Sequence, residues 1–357
     1  MFNNMGRNPL DKPQPKNKSS AVFIVGVFAA VVILMFIARM RSQNVQKINI
    51  PLNNGIVSLL TYNNLLAAIS NDNKIYVLQW SDLSKKPREG VVESGEAVFV
   101  APDTIVSVKR TNPDCLVVSG FDANSVNQKI PLSLTSNTAS LCASQDGNKI
   151  ILLLERGGAE RLTYELFEVE FNTKQVRPLT AIPSEQGRVE HFSVSNDGRY
   201  VVAVGEKKEH GWLFVADIKE KKIVWQKELS DLRKLYKGVF SNDGEIIYIR
   251  GSDSMLTLVK SISGEIIDRL LPTEENKSTY RTQPTQTVAI SNDGGLVAAT
   301  VFGNVYVWDT KTRKKYDIIG VGQKVFSSMV FSPDGRFIAT SDMRQGGVIK
   351  IVRTPRH

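Results

Sequence analysis

Met329-Val330-Phe331-Ser332-Pro333-Asp334-Gly335-Arg336-Phe337-Ile338-Ala339 is the stretch on which the fold turns. An apolar run, a Ser-x-Asp-Gly tetrapeptide and a second apolar run follow one another without a gap. The Asp-Gly pair supplies the positive φ of a tight hairpin, and the flanking Val, Ile and Phe prefer strands. Ser-x-Asp-Gly occurs five times, at 144–147, 195–198, 241–244, 291–294 and 332–335, and weaker copies lie around Asn63-Asn64 and Pro102-Asp103. These marks recur at intervals of roughly 40 to 50 residues, the period of a four-stranded propeller blade.

Working outward from the hairpins, strands are expected at 56–60, 65–69, 74–80 and 90–92 in blade one, and at 97–100, 105–109, 115–119 and 128–132 in blade two. Blade three takes 139–143, 150–154, 162–171 and 176–179, and blade four 191–194, 200–204, 212–217 and 223–227. Blade five takes 236–240, 246–250, 256–261 and 266–270, and blade six 287–290, 296–300, 305–309 and 316–319. Blade seven has only 327–331, 337–341 and 348–352 before the chain ends at His357. A spare strand exists at the other end, Gln46-Lys47-Ile48-Asn49-Ile50-Pro51-Leu52. Circular arrays are closed by pairing terminal strands, because an open edge leaves ladder groups unpaired. The expected fold is therefore all-β, a seven-bladed propeller over residues 46–357 closed by its N-terminal strand; the other reading of 46–52 is a plain linker.

Ahead of that strand, Ala21 to Ala38 is an unbroken apolar run. At about 1.5 Å per residue it reaches about 27 Å, close to the hydrocarbon core of a bilayer. A cleaved signal peptide is the rival, but its apolar region runs only about 7–15 residues and ends in small residues. Here the run ends in Phe36-Ile37-Ala38-Arg39-Met40-Arg41, a poor cleavage site. The expectation is a tail at 1–20 too poor in apolar residues to fold, one transmembrane helix at 21–40 and a linker at 41–45. Four basic residues in the short tail favour keeping it in the cytoplasm, with the propeller translocated, although Arg39 and Arg41 argue the other way.

The net charge of +9 is concentrated at this end. Arg7, Lys12, Lys16, Lys18, Arg39, Arg41 and Lys47 against Asp11 give residues 1–47 a charge of +6, which leaves +3 for the rest. The high pI thus reports membrane flanks and gives no reason to expect nucleic acid as a partner. Cys115 and Cys142 are too few for a disulfide framework and read as packed thiols in strands.

Val305-Tyr306-Val307-Trp308-Asp309 carries a Trp-Asp dipeptide, and with the Ser-Pro-Asp-Gly hairpin it makes residues 46–357 resemble the degenerate bacterial WD40-type propellers. The hairpin at 333–339 is also similar to those of TolB-like propellers. There is one Trp-Asp and no Gly-His pair, so the His–Asp networks of well-formed WD40 blades are not expected. What the resemblance implies is a fold and an interaction scaffold; propellers host many functions.

No enzyme signature is present: no GxSxG elbow, HExxH, CxxC pair or P-loop. The hairpin carboxylates are explained by turn chemistry, so neither metal nor cofactor is expected. His191 reads as a structural histidine, His210 as a solvated one, and the four tryptophans as core. In a propeller the A–B and C–D turns share one face. The C–D turns here are basic, with Lys85, Lys86 and Arg88, then Lys219, Lys221 and Lys222, then Lys311, Arg313, Lys314 and Lys315. About eight residues separate Ala38 from the closing strand, a reach of about 28 Å. This face is expected near lipid headgroups, where each cation contributes on the order of 1 kcal/mol; the alternative is solvated hairpin tips. The opposite face collects Arg110, Arg156, Lys207, Arg250 and Arg344 with Arg281 in a long connection at 271–284, a candidate surface for a protein partner or an anionic group. The function expected is a membrane-anchored scaffold in a larger membrane assembly, with no small-molecule substrate identified. The alternative is a channel enzyme or ligand sensor of lactonase- or quinoprotein-like kind.

Overall fold

The computed structural model describes residues 45–50, 55–92, 96–109, 113–121, 128–132, 136, 138–144, 149–158, 161–170, 173–182, 187–253, 255–270, 287–301, 303–316, 319–321, 326–342 and 346–355. The tail, the apolar run and the linker expected at 41–45 lie outside them except for Val45, which belongs to a strand and not to a linker. No helix among the described residues is long and apolar enough to cross a membrane. These residues form seven four-stranded antiparallel sheets. The innermost strands touch in cyclic order, from Ile56–Tyr62 through the other blades to Phe326–Phe331 and back to Ile56–Tyr62. This is a seven-bladed propeller, and strands are lettered A to D below from the channel outwards.

The Ser-x-Asp-Gly hairpins join strands A and B, and each position has a separate task. Ser Oγ donates to Asp Oδ1 at 2.5 Å in Ser195–Asp197 and Ser241–Asp243, and at 2.6 Å in Ser291–Asp293 and Ser332–Asp334. The same hydroxyl accepts the N–H that opens strand B, at 2.9 Å from Tyr200, Ile246, Leu296 and Phe337. Asp Oδ1 accepts from the residue after the glycine, Arg199 at 3.0 Å and Glu245 at 3.0 Å among them. Gly198, Gly244, Gly294 and Gly335 hold φ of 67°, 73°, 69° and 70°. A larger side chain is disfavoured in that left-handed region. The x position reaches sideways: Asn196 Nδ2 donates to Asn242 O at 3.2 Å, and Asn242 Nδ2 to Ser291 O at 3.4 Å. One tetrapeptide thus closes its own hairpin and ties it to the next blade.

The core is a ring of seven clusters, each between two neighbouring blades. Buried strands read as continuous apolar runs because both faces of a blade are covered. Trp212 and Trp308 are buried. Trp80 and Trp225 are half-buried and donate Nε1–H to Thr61 Oγ1 at 3.1 Å and Ser261 O at 2.6 Å. Cys115 and Cys142 lie in strands, and neither is in a disulfide. Asp309 of the Trp-Asp pair caps its C–D turn, accepting the N–H groups of Lys311 at 3.0 Å and Thr312 at 2.8 Å. Asp217 does the same for Glu220 at 3.0 Å and also binds Arg199. Burial alone would raise the Asp217 carboxyl, but these hydrogen bonds and the Arg199 charge outweigh it and hold it below the usual range.

The spare strand closes the ring. Val45–Asn49 pairs antiparallel with Val348–Arg353, from Val45 opposite Val352 to Asn49 opposite Val348. Ile48 and Ile50 then pack into the cluster shared by blades seven and one. The linker reading of this segment is thereby excluded. Blade six departs from expectation: its D strand is Ile319–Gly320, with an isolated bridge at Lys315 to Trp308, in place of a run over 316–319. The Asp309-capped turn delays departure of the chain, since Asp309 and Lys314 still bond at 3.0 Å.

Deleting residues 1–54 is expected to lower the melting temperature relative to deleting 1–44, because only the first exposes a ladder edge; equal melting temperatures would refute the closure. Two glycine replacements separate backbone from steric strain. Gly244→Ala, with nothing within 4 Å of its added Cβ, should cost about 1–2 kcal/mol through its positive φ alone. Gly205→Ala should cost more in chemical denaturation, since its Cβ would lie 1.8 Å from Arg188 O.

Candidate functional site in the central channel

The A strands of the blades surround a cavity of about 830 Å³. Its wall is mostly small or apolar: Val57 and Leu59, Ala97 and Val98, Leu141 and Ala143, Met329 and Val330. Hydroxyls stitch the A strands together, Ser193 Oγ donating to Gly238 O at 2.8 Å and Ser328 Oγ to Leu59 O at 3.5 Å. The ionisable groups in the wall are Glu96 of blade two, Cys142 of blade three, Glu190 and His191 of blade four, and Tyr236 and Lys237 of blade five.

They are concentrated on blades four and five, where A strands Arg188–Val194 and Leu235–Phe240 lie side by side. Glu190 is neutralised by Lys234 Nζ at 2.7 Å and Arg188 Nε at 3.4 Å. Tyr236 lies between two cations, with Lys234 Nζ 5.7 Å and Arg250 Cζ 5.8 Å from its ring centroid. Burial, and secondly the Lys237 charge, pull the His191 imidazole down to about 3, and its Nδ1 has no hydrogen-bond partner. Burial, and secondly Arg250, bring the Lys237 ammonium down to about 8. Burial likewise raises the Cys142 thiol, with Glu96 adding to it, so it is no nucleophile near neutrality. Among the described residues no three His, Cys, Asp or Glu side chains are grouped as metal ligands.

Of the face expected to carry Arg110, Arg156, Lys207, Arg250, Arg344 and Arg281, the positions 110, 281 and 344, and the connection at 271–284, lie outside the described residues. Arg156 is half-buried and pairs across its hairpin with Glu165 at 3.2 Å. Lys207 pairs with Glu228 at 2.7 Å. Arg250 is completely buried, behind the channel wall. It therefore displays no charge on the rim, which corrects that part of the sequence reading: Tyr248 and Arg250 alternate with the apolar Ile247 and Ile249, and both sides of this strand are covered by neighbouring blades. The other face bears the C–D turns. Lys85, Lys86, Arg88, Lys219, Lys221, Lys222, Lys311, Arg313, Lys314 and Lys315 are all exposed. Lys85 is paired with Asp82 at 3.6 Å, Arg313 with Asp268 at 3.0 Å, and Arg88 lies over the Phe121 ring at 5.4 Å.

No family model matches the chain, and no curated protein does. Solved structures match abundantly, 1593 chains in all, so the architecture by itself selects no activity. One is a chain of Kuenenia stuttgartiensis hydrazine synthase, 14% identical, with a TM-score of 0.66, covering 86% of this chain and 97% of that one. At that identity the likeness shows the propeller fold alone.

Lys237 and Tyr236 were not singled out by the sequence reading, although a lysine inside the strand Leu235-Tyr236-Lys237-Gly238-Val239-Phe240 is a legible anomaly. His191 offers a direct check. An unfolded histidine binds its proton near about 6.5, whereas the folded one stays neutral down to about 3. The unfolded state holds more protons between these values, so stability falls as pH drops through that window. His191→Gln is expected to flatten the melting-temperature profile between about pH 7 and pH 4, by up to about one bound proton; an unchanged profile would show that His191 titrates normally.

Proposed function

We propose that the chain is a single-pass, membrane-anchored propeller that serves as a protein-interaction scaffold within a membrane assembly, its globular part on the translocated side. One observation carries the reading. Val45 opens the closing strand opposite Val352, at the end of strand C, so the chain enters on the face that bears the C–D turns. Six residues join Val45 to Ala38 at the end of the apolar run, a reach of only about 20 Å. If residues 21–38 lie in a bilayer, ten exposed cations stand close to its headgroups, each contributing on the order of 1 kcal/mol with anionic lipid. The opposite face is then turned away and free for a partner, and its Arg156 and Lys207 are held in place by ion pairs. Long connections on a rigid scaffold are where binding residues gather.

A second reading, an enzyme or ligand sensor that works through the channel, draws support from the His191–Lys237 environment and from the enzymatic name of the structural neighbour. The two are separated by purification from solubilised membranes. A stoichiometric protein partner supports the scaffold; the chain alone, with a bound small molecule, supports the alternative. Reversing Lys219, Lys221, Lys222, Lys311 and Lys314 to Glu should weaken binding to anionic vesicles while retaining the partner. Loss of the partner from that variant would overturn the assignment of faces. Protease added to intact spheroplasts should digest the propeller, and full protection would place it in the cytoplasm.

A further inference from the structure

Arg250 has no exposed surface, and none of its three guanidinium nitrogens has a hydrogen-bond partner. Burying a charge without a partner is among the most destabilising arrangements in a fold. It is not alone. Lys237 is its direct cross-strand partner in the A–B pair of blade five, which places both side chains on the same face of the sheet. Lys237 lines the channel, and among the described residues no acid forms an ion pair with either cation. The register shifts between Leu235 and Lys237, a bulge that takes Tyr236 out of the ladder and presents its ring to the channel, with Arg250 behind it. Bulges of this kind re-aim side chains beside functional sites.

The acids facing this wall are otherwise engaged. Glu190 is held by Lys234 and Arg188. Glu96 lies on blade two and has interactions of its own. Asp253 acts on Arg250 through space, while its Oδ1 accepts from Met255 N–H at 3.3 Å. We propose that this wall of the channel is a binding site for the oxyanion group, phosphate or carboxylate, of a small molecule, held by Lys237 and Arg250. An arriving anion supplies the missing counter-charge: it meets the Lys237 ammonium in the channel, while Arg250, which has no exposed surface, attracts it through space from behind Tyr236. His191 on the neighbouring A strand, with Nδ1 unpartnered, borders the same space and is positioned to gain a proton when negative charge arrives. Burial lowers the proton affinity of both Lys237 and Arg250, and the Arg250 charge lowers that of Lys237 further; an arriving anion would offset these effects in the same event. The site does not depend on the scaffold reading: a scaffold gated by a metabolite and a channel enzyme would both use it.

The test is equilibrium dialysis of the full chain in detergent, in chloride buffer of fixed ionic strength, with radiolabelled inorganic phosphate in one arm and radiolabelled malonate in the other. Saturable uptake approaching one equivalent per chain is expected in at least one arm, and the arm that saturates identifies the anion class. Lys237→Met and Arg250→Met should each weaken that uptake by about tenfold or more. Lys260→Met, which removes an exposed cation paired with Glu265, should leave it unchanged. Lys237 is only half-buried, so Lys237→Met carries the comparison if Arg250→Met does not fold. No saturable uptake in either arm, or uptake that the Lys237→Met variant retains in full, overturns the proposal.

Discussion

The pairing of Val45–Asn49 with Val348–Arg353 is the contact on which the ring depends. Six blades are made of sequence-adjacent strands and assemble locally. The seventh joins the two ends of the described chain across about three hundred residues, so it carries the whole entropy of closing the circle. That entropy grows only slowly with loop length, and the blades shorten the effective loop because each is already an ordered unit. Five ladder pairs, with Ile48 and Ile50 packed between blades seven and one, replace two open edges by a continuous core. The same pairing sets Val45 opposite Val352, so the described chain begins on the face that bears the C–D turns.

Between blades, the ring is held by parts that repeat. Each apolar cluster belongs to two blades, and side chains at the hairpins cross the same gaps: Asn196 to Asn242, Asn242 to Ser291, Lys149 Nζ to Gly198 O at 3.2 Å. Lys350 crosses from blade seven to blade six, its Nζ donating to Val321 O at 2.6 Å. These bonds span neighbours only, so the molecule behaves as a one-dimensional array bent into a circle. In such an array, energy is a sum of unit and interface terms. The channel inherits its shape from that symmetry, while its chemistry comes from the few positions that break it.

Most of the architecture was legible because the repeat encodes it in chemistry that has few solutions. Asp-Gly demands a left-handed residue, the serine caps the hairpin, and the alternating apolar runs have only blades to bury them. Where the device was written differently it was missed. Ser70-Asn71-Asp72-Asn73 builds the same Ser-to-Asp bond in the B–C turn of blade one, with Asn73 at a φ of 62° in place of glycine. The site was less legible. Arg156, Lys207 and Arg250 look equivalent in sequence, each near the end of a strand B, yet the first two meet Glu165 and Glu228, and the third is enclosed. Pairing depends on which side of a blade a residue occupies, and along its strand Arg250 shares the side of Tyr248, opposite to that of Ile247 and Ile249.

The basic rim and the buried cations are therefore different kinds of positive charge. Lys219, Lys221 and Lys222 are surrounded by water, cost the fold little, and are screened within about 8–10 Å at ordinary ionic strength. They can orient the domain on a charged surface but cannot tell one anion from another. Arg250 and Lys237 lie where screening is weak and hydration has been lost, so an anion of matching shape gains far more there than at the rim. A fold that keeps two such cations opposite each other, with its nearest acids bound elsewhere, gives up stability throughout its unliganded life. That sacrifice is intelligible if the channel is occupied in use. On the proposed reading, the rim would govern where the propeller is held and the channel what it binds, and because the two sets of charge share no residue they could be altered independently.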